Sequence, residues 1–255
     1  MPTDTLDTPR PRRAFGMRDR AAALVLGLAA LALIAVGVQG LRRDLDRIPP
    51  TQYVQAAADR MQGEDEALRT ETRVRTIALY EAMAPAARRG EDLRRWAGVH
   101  LMIADDAAAA EEADRARAHA GTAAALARRS LRHDPVHPKT WAHLSHALWL
   151  EQAEPAAAFG ALRQSYAFTA VEPELTGYRL ERALDLSSVW TVPFMAMMRQ
   201  DLRGLLALHP GDDVARAFQT RAAASDRLAW LGEVLTRRDP ALRDRWRLHA
   251  PEIGL

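Results

Sequence analysis

Proline punctuates the second half of this chain. Asp134-Pro135, His137-Pro138, Glu154-Pro155, Glu172-Pro173, Thr191-Val192-Pro193, His209-Pro210-Gly211 and Asp239-Pro240 follow one another at short intervals. Proline breaks the hydrogen-bond ladder inside a helix but is well placed at a helix's first position, where its missing N–H has no partner to lose. The segments between these breaks have helical periodicity and run to about 13 to 20 residues. A chain cut in this way folds as short helices that turn back on one another. Composition points the same way, since 51 of the 255 residues are alanine and aromatic residues are only 6%. Alanine, leucine, arginine and glutamate favour helix, and no segment alternates convincingly as a strand. An all-β or doubly wound α/β fold is therefore not expected. Cysteine is absent, which excludes disulfide scaffolds, thiol catalysis and thiolate metal sites.

Upstream of the prolines the pattern continues. Residues 64–83 place Leu68, Val74, Ile77, Ala78 and Tyr80 on one mostly apolar face, with Glu71 among them. Residues 91–103 do the same with Leu93, Trp96, Val99, Leu101, Met102 and Ile103. From Ala107 to Arg132 the chain is alanine-rich and narrow-faced, suited to close helix packing.

Residues 21–38, AAALVLGLAALALIAVGV, contain no polar or charged side chain, and Gln39, Gly40 and Leu41 extend the run to Arg42. About 20 helical residues cross a hydrocarbon core of about 30 Å. A buried core helix of this length would carry a polar stripe, and a cleaved leader has an apolar core of only about 7 to 15 residues. The run is thus expected to be a retained transmembrane helix over 21–41. Arg10, Arg12, Arg13, Arg18 and Arg20 precede it, against Arg42, Arg43 and Arg47 behind it. The positive-inside rule then leaves the N-terminus in the cytoplasm and the rest of the chain outside it. The expected organisation is a disordered cytoplasmic segment over 1–20, the span over 21–41, a linker over 42–50 with the stiff Pro49-Pro50 exit, and a helical domain over 51–255.

The net charge of +2 comes from the first 41 residues, because the remainder carries 30 basic and 30 acidic side chains. A nucleic-acid binder concentrates positive charge on its folded part, so nucleic acid is not an expected partner.

One motif has a recognisable period. Trp141-Ala-His-Leu144-Ser145-His-Ala-Leu148 follows the first-helix pattern of a tetratricopeptide repeat, in which Trp and Leu fill the hairpin and a small residue admits the second helix. Ala123, Ala127 and Ser130 suit the second helix of a preceding repeat, and Ala158, Leu162 and Tyr166 suit the second helix of this one. The surrounding arrangement is Arg-Ser-Leu-Arg-His-Asp-Pro followed by Trp141, then Ala-Leu-Arg-Gln-Ser-Tyr166, Glu172-Pro-Glu-Leu175 and Arg179-Leu-x-x-Ala-Leu184. It resembles the VpsP-type proteins of bacterial polysaccharide loci. The similar stretch runs from about Arg129 to Trp190, with His133 and Phe168 departing from the pattern. The resemblance implies a tetratricopeptide-like domain behind one membrane span, an accessory role in making or exporting an extracellular polysaccharide, and no catalytic residue.

Candidate chemistry is sparse. His133, His137, His143 and His146 cluster in sequence, but their spacing lacks the i, i+4 pair with an interposed Glu that zinc enzymes use. Asp105-Asp106, Glu111-Glu112 and Asp212-Asp213 are adjacent pairs whose side chains diverge by about 100° on a helix, so they do not converge on a substrate. No phosphate loop or nucleophile elbow occurs. The reading is an all-α protein: one N-terminal transmembrane helix followed by a tetratricopeptide-like stack of antiparallel helical hairpins. It is expected to be a non-enzymatic scaffold of the bacterial inner membrane, with no cofactor, metal or catalytic residue, and with other envelope proteins as partners, polysaccharide synthesis or export components among them. Lys139, His146 and Trp149 are the expected partner-binding residues, on one concave face. A periplasmic chaperone in cytochrome c maturation or envelope assembly is the alternative with the same architecture, and a secreted enzyme with a cleaved leader is the alternative from another class.

Overall fold

The structure is a computed structural model, and it describes residues 25–26, 28–41, 66–83, 88–169, 172–208 and 239–248, with a few more between 219 and 237. The described residues are helical throughout, without a strand. In chain order the helices are α1 (28–41), α2 (Glu66–Ala82), α3 (Gly90–Ala109), α4 (Ala113–His133), α5 (Pro138–Leu150), α6 (Pro155–Phe168), α7 (Pro173–Asp185), α8 (Val192–Leu208) and α9 (Pro240–Leu248).

The prolines act where the sequence places them. Pro138, Pro155 and Pro173 each open a helix, and His137 caps α5 by accepting a hydrogen bond from Thr140 N at 3.4 Å. Two breaks have another origin. The stretch expected to continue from Ala107 to Arg132 is divided at Ala110–Glu112, between α3 and α4, and Glu111 sits there at φ 61°. Gln152, between α5 and α6, also has φ 61°. The closing bonds match: Glu112 N donates to Ala107 O at 2.8 Å, and Ala153 N to Leu148 O at 3.0 Å. These are the same left-handed helix stop built without glycine.

The helices pack as hairpins, α3 on α4, α5 on α6 and α7 on α8. First helices also meet each other, α3 against α5 and α5 against α7. The second helices begin at 113, 155 and 192, which is 42 and then 37 residues apart. One continuous apolar core runs beneath all of them. Tyr80 stacks on Trp96 with ring centres 5.8 Å apart, and Phe194 meets Phe159 and Tyr166 edge-on at 4.8 and 5.3 Å. Leu144, Ser145, Ala158, Leu162 and Tyr166 are buried as the repeat pattern requires. Trp141 departs from its expected place as an internal wedge. It packs on the core only partly buried, and its indole N–H donates to Pro135 O at 2.7 Å, so the ring covers the turn before α5.

The expected transmembrane span lies only partly within the described residues. Its described portion is helical, and Leu28, Leu31, Leu33, Ile34, Val36, Val38 and Leu41 are each more than half exposed. Among the described residues no helix is long and apolar enough to cross a membrane. The segments 1–20 and 42–50, the start of the 51–255 domain and the Asp212-Asp213 pair lie outside the described residues.

Candidate partner-binding groove

The three first helices share a face. On α3, Arg94, Gly98, Met102 and Asp105 follow one another at helical spacing; on α5, Lys139, His143 and His146 do the same; α7 adds Tyr178. Together they line a cavity of about 280 Å³. Gly98 lets α3 and α5 approach, since a Cβ there would stand 3.3 Å from His143 Cε1.

The cavity is graded in charge. Arg94 and Lys139 lie at the N-terminal ends of their helices, and neither closes an ion pair among the described residues. Arg94 Nε is buried without a hydrogen-bond partner, and burial lowers the guanidinium's pKa. Arg95 beside it is paired with Glu91. At the other end Asp105 Oδ1 lies 2.9 Å from His146 Nε2, and His146 Nδ1 lies 2.8 Å from the Tyr178 hydroxyl. A carboxylate only accepts, so Nε2 carries the proton and the Tyr178 O–H donates to Nδ1. Burial lowers the His146 pKa, against the opposing effect of its hydrogen bond to the Asp105 carboxylate, and raises that of Tyr178 well above its ordinary value. Burial likewise brings His143 down to about 3, with Lys139 and Arg94 acting in the same direction. The Asp105–His146–Tyr178 chain therefore ties α3, α5 and α7 together through an uncharged imidazole.

The structure brings together two of the three residues expected to bind a partner. Lys139 and His146 line this cavity, His146 at only 2% exposure. Trp149 does not join them. Ten residues separate it from Lys139, which at about 100° per residue leaves the two side chains about 80° apart around the helix. It lines a second cavity, with Glu111, Arg117 and Gln152. Arg94, Asp105 and Tyr178 had no functional reading in the sequence. The first two stand on the polar side of a helix whose apolar side drew attention, and Asp105 also belonged to an adjacent carboxylate pair. That pair does separate: Asp105 faces His146, whereas Asp106 pairs with Arg73. Of the other histidines, His137 caps α5 and the exposed His133 ends α4 against Gly90. Among the described residues no group of three or more His, Cys, Asp or Glu side chains is placed to hold a metal ion.

Fold and groove together define an all-α protein of packed helical hairpins with a polar inner face. In comparisons with known proteins the chain matches no protein-family model, no curated protein and no solved structure.

Proposed function

We propose that this chain is a non-enzymatic scaffold, held in a bacterial inner membrane by residues 21–41, whose tetratricopeptide-like hairpins capture an acidic segment of another envelope protein outside the cytoplasm. The observation that carries the reading is the pair of cations, Arg94 and Lys139, that line one cavity and close no salt bridge among the described residues. A partly buried cation without a partner has a standing electrostatic demand, and a carboxylate arriving from outside meets it through charge-assisted hydrogen bonds. The stacked first helices supply the concave surface on which helical repeats hold extended segments. The exposed apolar helix α1 supports the anchor, and the VpsP-type resemblance supports polysaccharide assembly or export as the setting.

The test uses full-length protein in carbonate-washed membranes, with crosslinking and mass spectrometry to identify what it holds. Replacing Arg94 and Lys139 together by Gln is expected to weaken capture by about tenfold or more, since hydrogen bonds to charged groups contribute roughly 1.5 to 3 kcal/mol each. Capture should also fall with added salt. Undiminished capture by the double variant sinks the groove reading. A haem-handling client in the crosslinked set moves the protein to the cytochrome c chaperone role.

A further inference from the structure

A second cavity, of about 590 Å³, opens where the α3/α4 and α5/α6 turns come together. Trp149 forms part of its wall and is 37% exposed, an unusual position for an indole in an otherwise well-packed stack. Around it stand Glu111, Arg117 and Gln152, with Arg117 donating to Gln152 Oε1 at 3.3 Å.

The backbone marks the same place independently. Glu111 and Gln152 are the two non-glycine residues with positive φ among the described residues, and both line this cavity. Each occupies the position just past a helix's cap residue, where glycine adopts the left-handed conformation without steric cost and is the usual choice. Each is instead a long polar side chain, kept at a position where it strains the fold. Two such choices, 41 residues apart and meeting at one cavity beside an exposed tryptophan, point to a ligand.

We infer that this cavity is a saccharide-binding site. A pyranose ring has an apolar face of C–H groups and a rim of hydroxyls in adjacent pairs. The flat indole of Trp149 suits the face. The carboxylate of Glu111, the carboxamide of Gln152 and the guanidinium of Arg117 each present polar atoms in a plane, suited to hydroxyls two at a time. Mostly apolar walls with a few convergent polar groups, at this volume, are the ordinary form of a small-ligand site. The site lies apart from the Arg94–Lys139 groove, so capture of a protein partner stands or falls separately.

The experiment is saturation-transfer NMR on the full chain, in a detergent without a sugar headgroup, with cellobiose, N-acetylglucosamine and glucuronic acid as probes. Ring C–H protons of at least one probe are expected to receive saturation. Trp149→Ala should weaken binding by about tenfold or more, the effect of losing an aromatic anchor, while Trp149→Phe keeps part of it. The decisive variant is Glu111→Gly with Gln152→Gly. It should melt no lower than the parent, because the strained positions are relieved, and yet bind the sugar several-fold more weakly. Saturation of none of the three probes overturns the site, as does binding undiminished in Trp149→Ala or in the glycine double variant. Transfer to acetyl-leucine amide but to no sugar would make the cavity a seat for an apolar peptide side chain and overturn it equally.

Discussion

The α3/α4 and α7/α8 hairpins are closed by opposite means. In the first, Ala97, Ala104 and Ala107 of α3 and Ala116, Ala120, Ala123, Ala124 and Ala127 of α4 are buried, and the backbones approach over methyl groups. In the second, Arg179 of α7 meets Asp201 of α8 in a bidentate pair at 2.9 and 2.6 Å, with neither residue exposed. Arg179 also donates to Thr169 O at 2.8 Å and lies over the Tyr166 ring at 4.3 Å. Methyl packing is non-directional and costs no desolvation, but it tolerates no added volume. A buried ion pair loses much of its attraction to desolvation, yet removing one partner leaves a charge stranded. The first hairpin is thus sensitive to size and the second to charge.

The largest expected effect breaks the charged side of that contrast. Arg179→Met strands Asp201 and should cost about 3 to 5 kcal/mol, read as a large fall in the midpoint of denaturant unfolding of the helical domain. Adding Asp201→Leu should restore most of the loss. A double variant as unstable as the single would mean that Arg179 acts through Thr169 and Tyr166 rather than through Asp201.

Ala124→Leu probes the methyl-packed side. Ala124 is fully buried where α4 packs on α3, so the change should cost about 3 kcal/mol, the upper part of the range for overpacked cores. A neutral result would show that α3 and α4 can part without penalty, and the contrast between the hairpins would fail on volume.

Lowering the pH should push the two regions in opposite directions, with a smaller net effect. Burial holds His100 at about 4, with His119 alongside, and His143 at about 3. Both are neutral in the folded chain and titrate near 6.5 when unfolded. Their contribution is fully present above about pH 6.5 and is lost as the pH falls toward 4. Asp201 works the other way, because burial lifts its carboxyl to about 6 against the opposing pull of Arg179. Its contribution is present below about pH 4 and is lost as the pH rises through 6. Between pH 7 and 5 the net loss should be on the order of 2 kcal/mol, and His100→Leu should flatten it. Hydrogen exchange should show α3 to α5 loosening before α7 and α8. Uniform loosening would mean that the two regions titrate as one.

Much of the helical layout was legible. Pro138, Pro155, Pro173 and Pro240 open helices in the structure as the breaks predict, and the buried faces of α3 and α6 hold the residues that periodicity selects, except Met102, which turns to the groove instead. The α3/α4 turn was not legible, because neither Pro nor Gly marks it and a run of alanine and glutamate reads as uninterrupted helix. Its cause is Glu111 in a conformation that composition does not announce. Of the three residues assigned to one face, Lys139 and His146 do line one cavity, whereas Trp149 lines another.

Among the described residues, then, the sequence by itself determined the helical content, the positions of the proline-marked turns, and the inward faces of α3 and α6, but not that of α2, where Val74 and Ala78 are exposed and Thr72 and Thr76 are buried beside Tyr80. These follow from forces that act within a few residues: the fixed φ of proline, helix propensity and the 3.6-residue repeat. Which polar side chains meet was decided by the tertiary structure alone. Arg94, Asp105, Lys139, His146 and Tyr178 span more than eighty positions, and Glu111 and Gln152 come to one cavity from separate hairpins. Each residue along a helix turns its side chain by about 100°, so a small shift in where a helix starts, or in how two helices cross, changes which groups face one another. Packing between helices sets those shifts, and that information is distributed over every contact in the core.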